Sequence, residues 1–364
     1  MKDTRFILNG GQLIQKQIEK ALSKGKSQIV VSGNYEIEKE IVLPSNFTIV
    51  LEDCYLRLKD NVYCNVFVNS AFDKNRLTLA EADKNIKIIG RGRAIVDGGN
   101  HNGLNERTSK SLGIPTWRNR MILFVNVDGF EVSNLHLRNQ RHWTTCFKYC
   151  RNGLISGLDF CANDSAIYYQ GKKDFTVDYL TMWNRSHERW VNGDGIDINH
   201  GCHDIIVENI TGFNDDDTIA LNNTMPCDNA LNVKDGSPDI YNIIIRNVNS
   251  SSWCANVRIL CQGGSKLYNV LVDGVFDSSK DSEHMTRGVY CVNVGDSRLY
   301  GSRHSSPDEV FNITVRNIYS RAEKAVRIAG AVTNLKLENV NLFDGGGVKL
   351  FDDNATLVDS EIKI

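Results

Sequence analysis

No stretch of this chain is apolar over the roughly 18–20 residues that a membrane-spanning helix needs, so a helical membrane protein is excluded. Charge of one sign is also lacking: 42 Lys and Arg stand against 44 Asp and Glu, a net of −2. A nucleic-acid partner calls for a basic surface, and nothing here supplies one. Only five prolines interrupt the chain. No pair among the ten cysteines has the C-x-x-C spacing of a zinc site, and Cys146 and Cys150, four apart, read as structural. Neither a metal nor a cofactor is expected. The opening MKDTRFILNGGQLIQKQIEKALSKG has no apolar core or small-residue cleavage site of a secretory signal. Reduced thiols and a cytoplasmic location are therefore expected, although a secreted protein whose signal had been removed would read the same.

What is present is a repeat. An alternating apolar pattern recurs as FEVSNLHL, GLISGLDF, FTVDYLTM, IIVENITG, IIIRNVNS, VLVDGVFD, ITVRNIYS, LKLENVNL and TLVDSEIK. Two-residue alternation with β-branched enrichment predicts short strands. The fifth positions are Asn134, Gly157, Tyr179, Asn209, Asn247, Gly274, Asn317, Asn339 and Ser360, with steps of 23, 22, 30, 38, 27, 43, 22 and 21. A period near 22 suits one turn of a parallel β-helix, in which each coil packs only on its neighbours. Such a solenoid escapes the limit of about 250–300 residues at which compact cores split. Asn and Gly at one corner fit a bend through left-handed backbone, and stacked asparagines can hydrogen-bond along the axis.

The expected architecture is all-β, a single parallel β-helix domain over residues 1–364. Gly10 to about Gly25 reads as a capping helix with Leu13, Ile14, Ile18, Ala21 and Leu22 on one face. It is followed by the strand SQIVVSGNYEI. The four steps well above 22, of 30, 38, 27 and 43, fall between Tyr179 and Asn317, so loops bordering a cleft are expected within about 183–310.

The densest polar stretch is residues 192–221. Asp194 heads GIDI, and Asp216 with Asp217 heads TIAL, 22 and 23 residues later. One coil apart, these acids would stack about 4.8 Å from each other. Like charges so close cannot all ionise, and at least one carboxyl should hold its proton. A protonated acid beside an ionised one is the equipment for glycoside hydrolysis. Turn capping or calcium binding is the plainer alternative for any one of these acids.

With these residues in view, the chain resembles the polygalacturonase-like glycoside hydrolases of family 28, as a divergent member. The family's Asn-Thr-Asp-Gly-apolar-Asp is similar to Asn192-Gly193-Asp194-Gly195-Ile196-Asp197, and its Gly-Asp-Asp-x-apolar-Ala to Asp215-Asp216-Asp217-Thr218-Ile219-Ala220. The opening helix and strand, IIGRGRAIVDGG and NQRHWTTCF are similar as well, so the likeness spans most of the chain. It implies a right-handed β-helix and an inverting mechanism. Asp216 would be the general acid, Asp194 and Asp217 would hold the attacking water, and Asp197 would orient the turn. An inverting pair stands about 6.5–9.5 Å apart.

Two departures bear on the substrate. Ala255 falls where the family has a histidine, and Tyr290 and Val292 fall where it has an Arg-x-Lys that holds a substrate carboxylate. Plain polygalacturonan is therefore not the expected substrate; a neutral or differently decorated glycan is. Arg258, one coil earlier, could grip a carboxylate or could partner the acids. Further candidate substrate contacts are Trp190, His187, Trp253, Tyr290 and Asn222, with Trp183, Glu188 and Arg189 nearby. His200 and His203 follow Asp194 closely enough to serve behind the acids. The competing readings are a polysaccharide lyase or epimerase on the same fold and a glycan-binding β-helix without catalysis. Sugar, linkage and oligomeric state are left open.

Overall fold

The computed structural model describes residues 5–99, 113–140, 143–161, 193–214, 216–224, 231–279, 288–295, 303–347 and 355–363. It is a right-handed parallel β-helix. Every strand pair in its two sheets is parallel, and consecutive coils stack in register. Among the described residues one sheet has fifteen strands and wraps two faces, and the other has nine strands and forms the third. The nine-stranded sheet includes, in spatial order, Ile122–Val125, Thr145–Lys148, Ile196–Asn199, Ile219–Thr224, Ala255–Gln262, Tyr290–Gly295 and Lys324–Ala329.

Alternation decides which side chains enter the core. Ile196, Ile219, Val257, Val292 and Val326 point inward and are at most 1% exposed. Each such burial stabilises by about 1.5–3 kcal/mol. One hydrophobic cluster runs from Ile14 to Val340.

The corner residues behave as the repeat predicts. Asn134, Gly157, Asn209, Asn247, Gly274, Asn317 and Asn339 all have φ between 53° and 81°. Asn247 Nδ2 donates to Asn209 Oδ1 (2.5 Å), and Asn339 Nδ2 to Asn317 Oδ1 (2.8 Å). At the last coil the left-handed residue is Asp359 instead of Ser360. An acidic or amide side chain tolerates that backbone better than serine does.

Tyr179 and FTVDYLTM lie outside the described residues. Strand Arg151–Ser156 pairs directly with His203–Asn214, Ser156 opposite Glu208. The step from Gly157 to Asn209 is thus a single coil, and residues 162–192 fall between Cys161 and Asp194 within it. The largest insertion therefore enters immediately before the first acid. The helix spans Gly10–Leu22 and buries Ile14, Ile18 and Ala21. Leu13 and Leu22, expected on the same face, are exposed, because the helix meets the first coil along a narrower stripe. The strand after it is Gln28–Ile37. The eight cysteines of the described residues that are assigned a state are free thiols, and no helix among the described residues is long and apolar enough to cross a membrane.

Candidate active site

The acid-bearing turns lie at the entrance to the nine-stranded sheet. Ile196 pairs with Ile219, so Asp194 and Asp217, each two residues earlier, occupy equivalent places on adjacent coils. The Asp217 N–H donates to Asp194 Oδ1 (3.0 Å), and the Gly195 N–H donates to the Asp217 carbonyl (2.9 Å). Gly195 is required by this approach. A Cβ there would stand 2.6 Å from the Thr218 carbonyl oxygen and 2.8 Å from Asn214 Oδ1.

Buried polar side chains hold the second turn. Asn214 Nδ2 donates to Thr218 Oγ1 (2.9 Å) and Ser250 Oγ to the same hydroxyl (3.2 Å). Gln140 donates to Asn214 from an earlier coil, and Ser252 Oγ to the Asp216 carbonyl. Asp216 and Asp217 thus sit on a turn tied to three coils.

Asp194, Asp197, Asp216 and Asp217 are all buried. Arg258 Nη1 donates to Asp217 Oδ2 (3.1 Å) from the next coil, an ion pair with both partners largely out of water. Burial raises the Asp194 carboxyl well above the usual carboxylate range. The charges of Asp197, Asp216 and Asp217 add to this, and Arg258 opposes it. Asp197 is also raised, by burial first; Arg120 works against the rise and Asp217 with it. Burial and like charge thus favour a shared proton in the cluster, a property of the coupled group more than of one residue.

Cys254, on the coil after the acid pair, is a member the sequence reading missed. One donor atom from each of Asp216, Asp217 and Cys254 lies within 4.8 Å of the others. Among the described residues this is the set with ligand atoms close enough to hold a metal ion. Burial, then the two acids, push the thiol up, so it stays protonated beside Asp217. The signal was only a cysteine at a register position, indistinguishable in sequence from the other buried thiols. Arg120, which acts on Asp197, belongs to a coil two before the first acid, and its guanidinium lies 4.5 Å from the Trp143 ring centre.

The remaining sequence candidates separate. Ala255 is fully buried and stands opposite Asp217; Tyr290 follows it on the next coil. Tyr290 is half-buried, with the Arg327 guanidinium 5.7 Å from its ring centre, while Val292 points into the core. Asn222 is half-buried on the outer face, paired in register with Asn199. Trp253 is buried and meets Phe213 edge to face at 5.7 Å. His200 is buried and pushed down to about 4, by burial and then by the charge of Lys148. His203 is away from the acids: it opens the strand His203–Asn214 of the other sheet, stacks on Tyr241 at 4.5 Å and bonds Asp204 at 2.6 Å. Trp183, His187, Glu188, Arg189 and Trp190 lie outside the described residues.

Fold and site together define a parallel β-helix with a buried carboxylate cluster at one mouth of a sheet. Comparison with known proteins finds no family model that matches and no curated protein that matches. Solved structures do match. Endo-xylogalacturonan hydrolase from Aspergillus tubingensis aligns over 96% of this chain and 89% of its own, at TM-score 0.52 and 13% identity. A mutant tailspike protein of E. coli bacteriophage HK620, in complex with pentasaccharide, aligns over 95% of this chain and 60% of its own, at TM-score 0.53 and 12% identity. At these identities the likeness is one of fold.

Proposed function

We propose that the protein is a glycoside hydrolase acting on a poly- or oligosaccharide, with Asp194, Asp216 and Asp217 as its catalytic carboxyls. The observation that carries this reading is the one-coil register of Asp194 and Asp217, closed by the Asp217 N–H bond to Asp194 and charged through Arg258. Burial favours the protonated form of Asp194 and Asp197 beside an Asp217 held by a guanidinium, and glycosidic cleavage needs an acid and a base side by side. Support of a weaker kind comes from the neighbours, one a hydrolase of xylogalacturonan and one holding a pentasaccharide.

In the mechanism, Asp216 passes a proton shared within the cluster to the glycosidic oxygen as the bond to the anomeric carbon breaks. Water positioned by Asp194 and Asp217 attacks that carbon, and its proton goes to Asp217, the carboxyl that Arg258 pairs. The stereochemical outcome is the sharpest point. Oxygens of Asp216 and Asp217 come within 4.8 Å, nearer than the roughly 6.5–9.5 Å of a typical inverting acid and base. Inversion therefore requires Asp194 to carry the water together with Asp217, whose amide bridges the two. Retention of configuration would move Asp217 into the role of nucleophile. Proton NMR of the first product formed distinguishes these. Asp216→Asn should lower the rate by about 10²–10⁴-fold with the fold intact. Full activity in that variant sinks the assignment.

Ala255, at the position where the resembling family has a histidine, favours a second reading: a β-helix that binds glycan without cleaving it. Saturable binding with no product over long incubation would select it.

A further inference from the structure

The acid cluster contains a donor set that the hydrolytic reading leaves partly idle. Asp216 and Asp217 share a turn, and Cys254 stands opposite Asp216 on the next coil, since Ile219 pairs with Val257. One ligand atom from each of the three lies within 4.8 Å of the others, and all three residues are buried. The turn and the next coil are fixed to one another. Ser252 Oγ donates to the Asp216 carbonyl and accepts from the Cys254 N–H (3.0 Å), while the Cys254 carbonyl accepts from the Tyr290 N–H (2.8 Å).

Asp217 supplies an observation independent of this proximity. Its side chain is 2% exposed, and Oδ2 accepts from Arg258 (3.1 Å), but Oδ1 is buried with no hydrogen-bond partner among the described residues. The group beside the carboxyl is the Cys254 thiol, a weak donor. A buried carboxylate oxygen left in this way is costly. The balance of charge agrees. Four buried aspartates, Asp194, Asp197, Asp216 and Asp217, meet two guanidiniums, Arg258 at Asp217 and Arg120 acting on Asp197. A divalent cation would supply positive charge and occupy the vacant acceptor together.

The donor types select the cation. Two carboxylates and a thiolate suit a borderline or soft ion such as Zn²⁺ or Cd²⁺, whereas Ca²⁺ and Mg²⁺ take oxygen alone. Tetrahedral zinc holds sulfur at about 2.3 Å and carboxylate oxygen at about 2.0–2.2 Å, which sets the ligand atoms about 3.4–3.6 Å apart. The trio therefore draws in by at most about 1.4 Å at its widest pair, on backbone that is already tied. Cys254 loses its thiol proton to the buffer as the sulfur–metal bond forms. A water completes the fourth position. Cysteine spacing could not reveal such a set, because the two acids come from a different coil.

We propose that Asp216, Asp217 and Cys254 bind a thiophilic divalent cation of the Zn²⁺ class, with Arg258 holding the second oxygen of Asp217, and that the bound ion blocks hydrolysis. The blockade rests on the reading of the cluster as catalytic; the metal site stands on the donor set itself. A coordinated carboxylate is held deprotonated. Asp216 then has no proton to pass to a glycosidic oxygen, and Asp217 can no longer take the proton of water. Metal-bound and cleaving forms exclude each other, so the concentration of free ion sets the active fraction.

The test is calorimetric titration of the chelator-treated protein with zinc chloride, and with cadmium chloride while the sulfur-to-cadmium charge-transfer absorption is followed in the ultraviolet. The expected result is that both ions bind and that Ca²⁺ and Mg²⁺ at the same concentrations do not. Affinity should fall tenfold or more in Cys254→Ser and in Asp216→Asn, and the cadmium band should vanish in Cys254→Ser. Circular dichroism checks that each variant folds, and Cys254→Ala serves if the Ser form does not. No binding of Zn²⁺, an affinity that survives either variant, a missing cadmium band, or Ca²⁺ bound as tightly as Zn²⁺ overturns the metal site. With a glycan that the protein cleaves, saturating Zn²⁺ should slow cleavage at least tenfold and a chelator should restore it. An unchanged rate overturns the blockade. Because binding is read without turnover, a hydrolase assignment that fails leaves the titration to decide the metal site alone.

Discussion

Arg258 offers the most direct measure of how the acid cluster is held. Its guanidinium meets Asp217 at 3.1 Å, with 13% of the Arg258 side chain and 2% of the Asp217 side chain exposed. At an effective dielectric of about 20, opposite charges at this separation attract by about 5 kcal/mol. Desolvation offsets part of that gain, but removing one partner strands the other, which costs about 3–5 kcal/mol. Arg258→Met, which keeps the stem and removes the charge, should therefore destabilise by about 3 kcal/mol at pH 7, the lower end because Arg258 keeps some solvent contact. The loss should depend on pH. Arg258 opposes the rise of Asp194 and Asp197, so without it both carboxyls hold their protons to higher pH in the folded state. The unfolded carboxyl ionises near 3.8. Below that value both states are protonated and the added penalty vanishes; it builds only once pH passes the raised native value of the wild type, where the variant still holds protons that the wild type has released. Urea unfolding at pH 7 and near pH 3.5 measures both effects, with Asp217→Asn as the second arm of a double-mutant cycle. An equal loss at both pH values, a loss under about 1 kcal/mol at pH 7, or strict additivity with Asp217→Asn would refute the reasoning.

Other perturbations follow from the same geometry. Asp194→Asn should lose hydrolysis yet gain stability at pH 7. The raised native carboxyl is a penalty that grows as pH rises above about 3.8 and is absent below it, so thermal melting at pH 3.5 and 7 should diverge only at the higher value. Gly195→Ala should push the Thr218 carbonyl away and disturb the Asp194–Asp217 register; a fall in activity larger than its fall in melting temperature is expected. Asn317→Ala gives up a left-handed corner at φ 58°, its bond to Asp273 (2.7 Å) and the Asn339 bond it accepts. A cost of about 2 kcal/mol in urea unfolding, with hydrolysis unchanged at low denaturant, is expected.

The sequence made the coil visible because the period repeats a physical demand. Each turn of the helix must bend, and only Asn, Gly or Asp bends cheaply through positive φ. A second corner went unread although its signal was present. Asp204, Asn242, Asn269, Asn312 and Asn334 stand five residues before Asn209, Asn247, Gly274, Asn317 and Asn339, all five have positive φ, and each of the four asparagines donates to the residue before it. FTVDYLTM carries the same alternation but lies outside the described residues. Local pattern does not reveal which strand a segment pairs with, and only the direct pairing of Ser156 with Glu208 does. At the site, spacing brought Asp194 to Asp217 because both head strands in register. Arg120 and Cys254 escaped, since their importance lies in burial and neighbours contributed by other coils.

The central claim is that the buried aspartates cleave a glycosidic bond. It is tested most directly by incubating the protein and its Asp216→Asn form with a panel of acidic and neutral oligosaccharides, following products and their anomeric configuration by NMR. The account predicts cleavage of at least one glycan of the panel with inverted configuration at the new reducing end, lost in Asp216→Asn. Binding without any new reducing end, or cleavage that persists in Asp216→Asn, would contradict it.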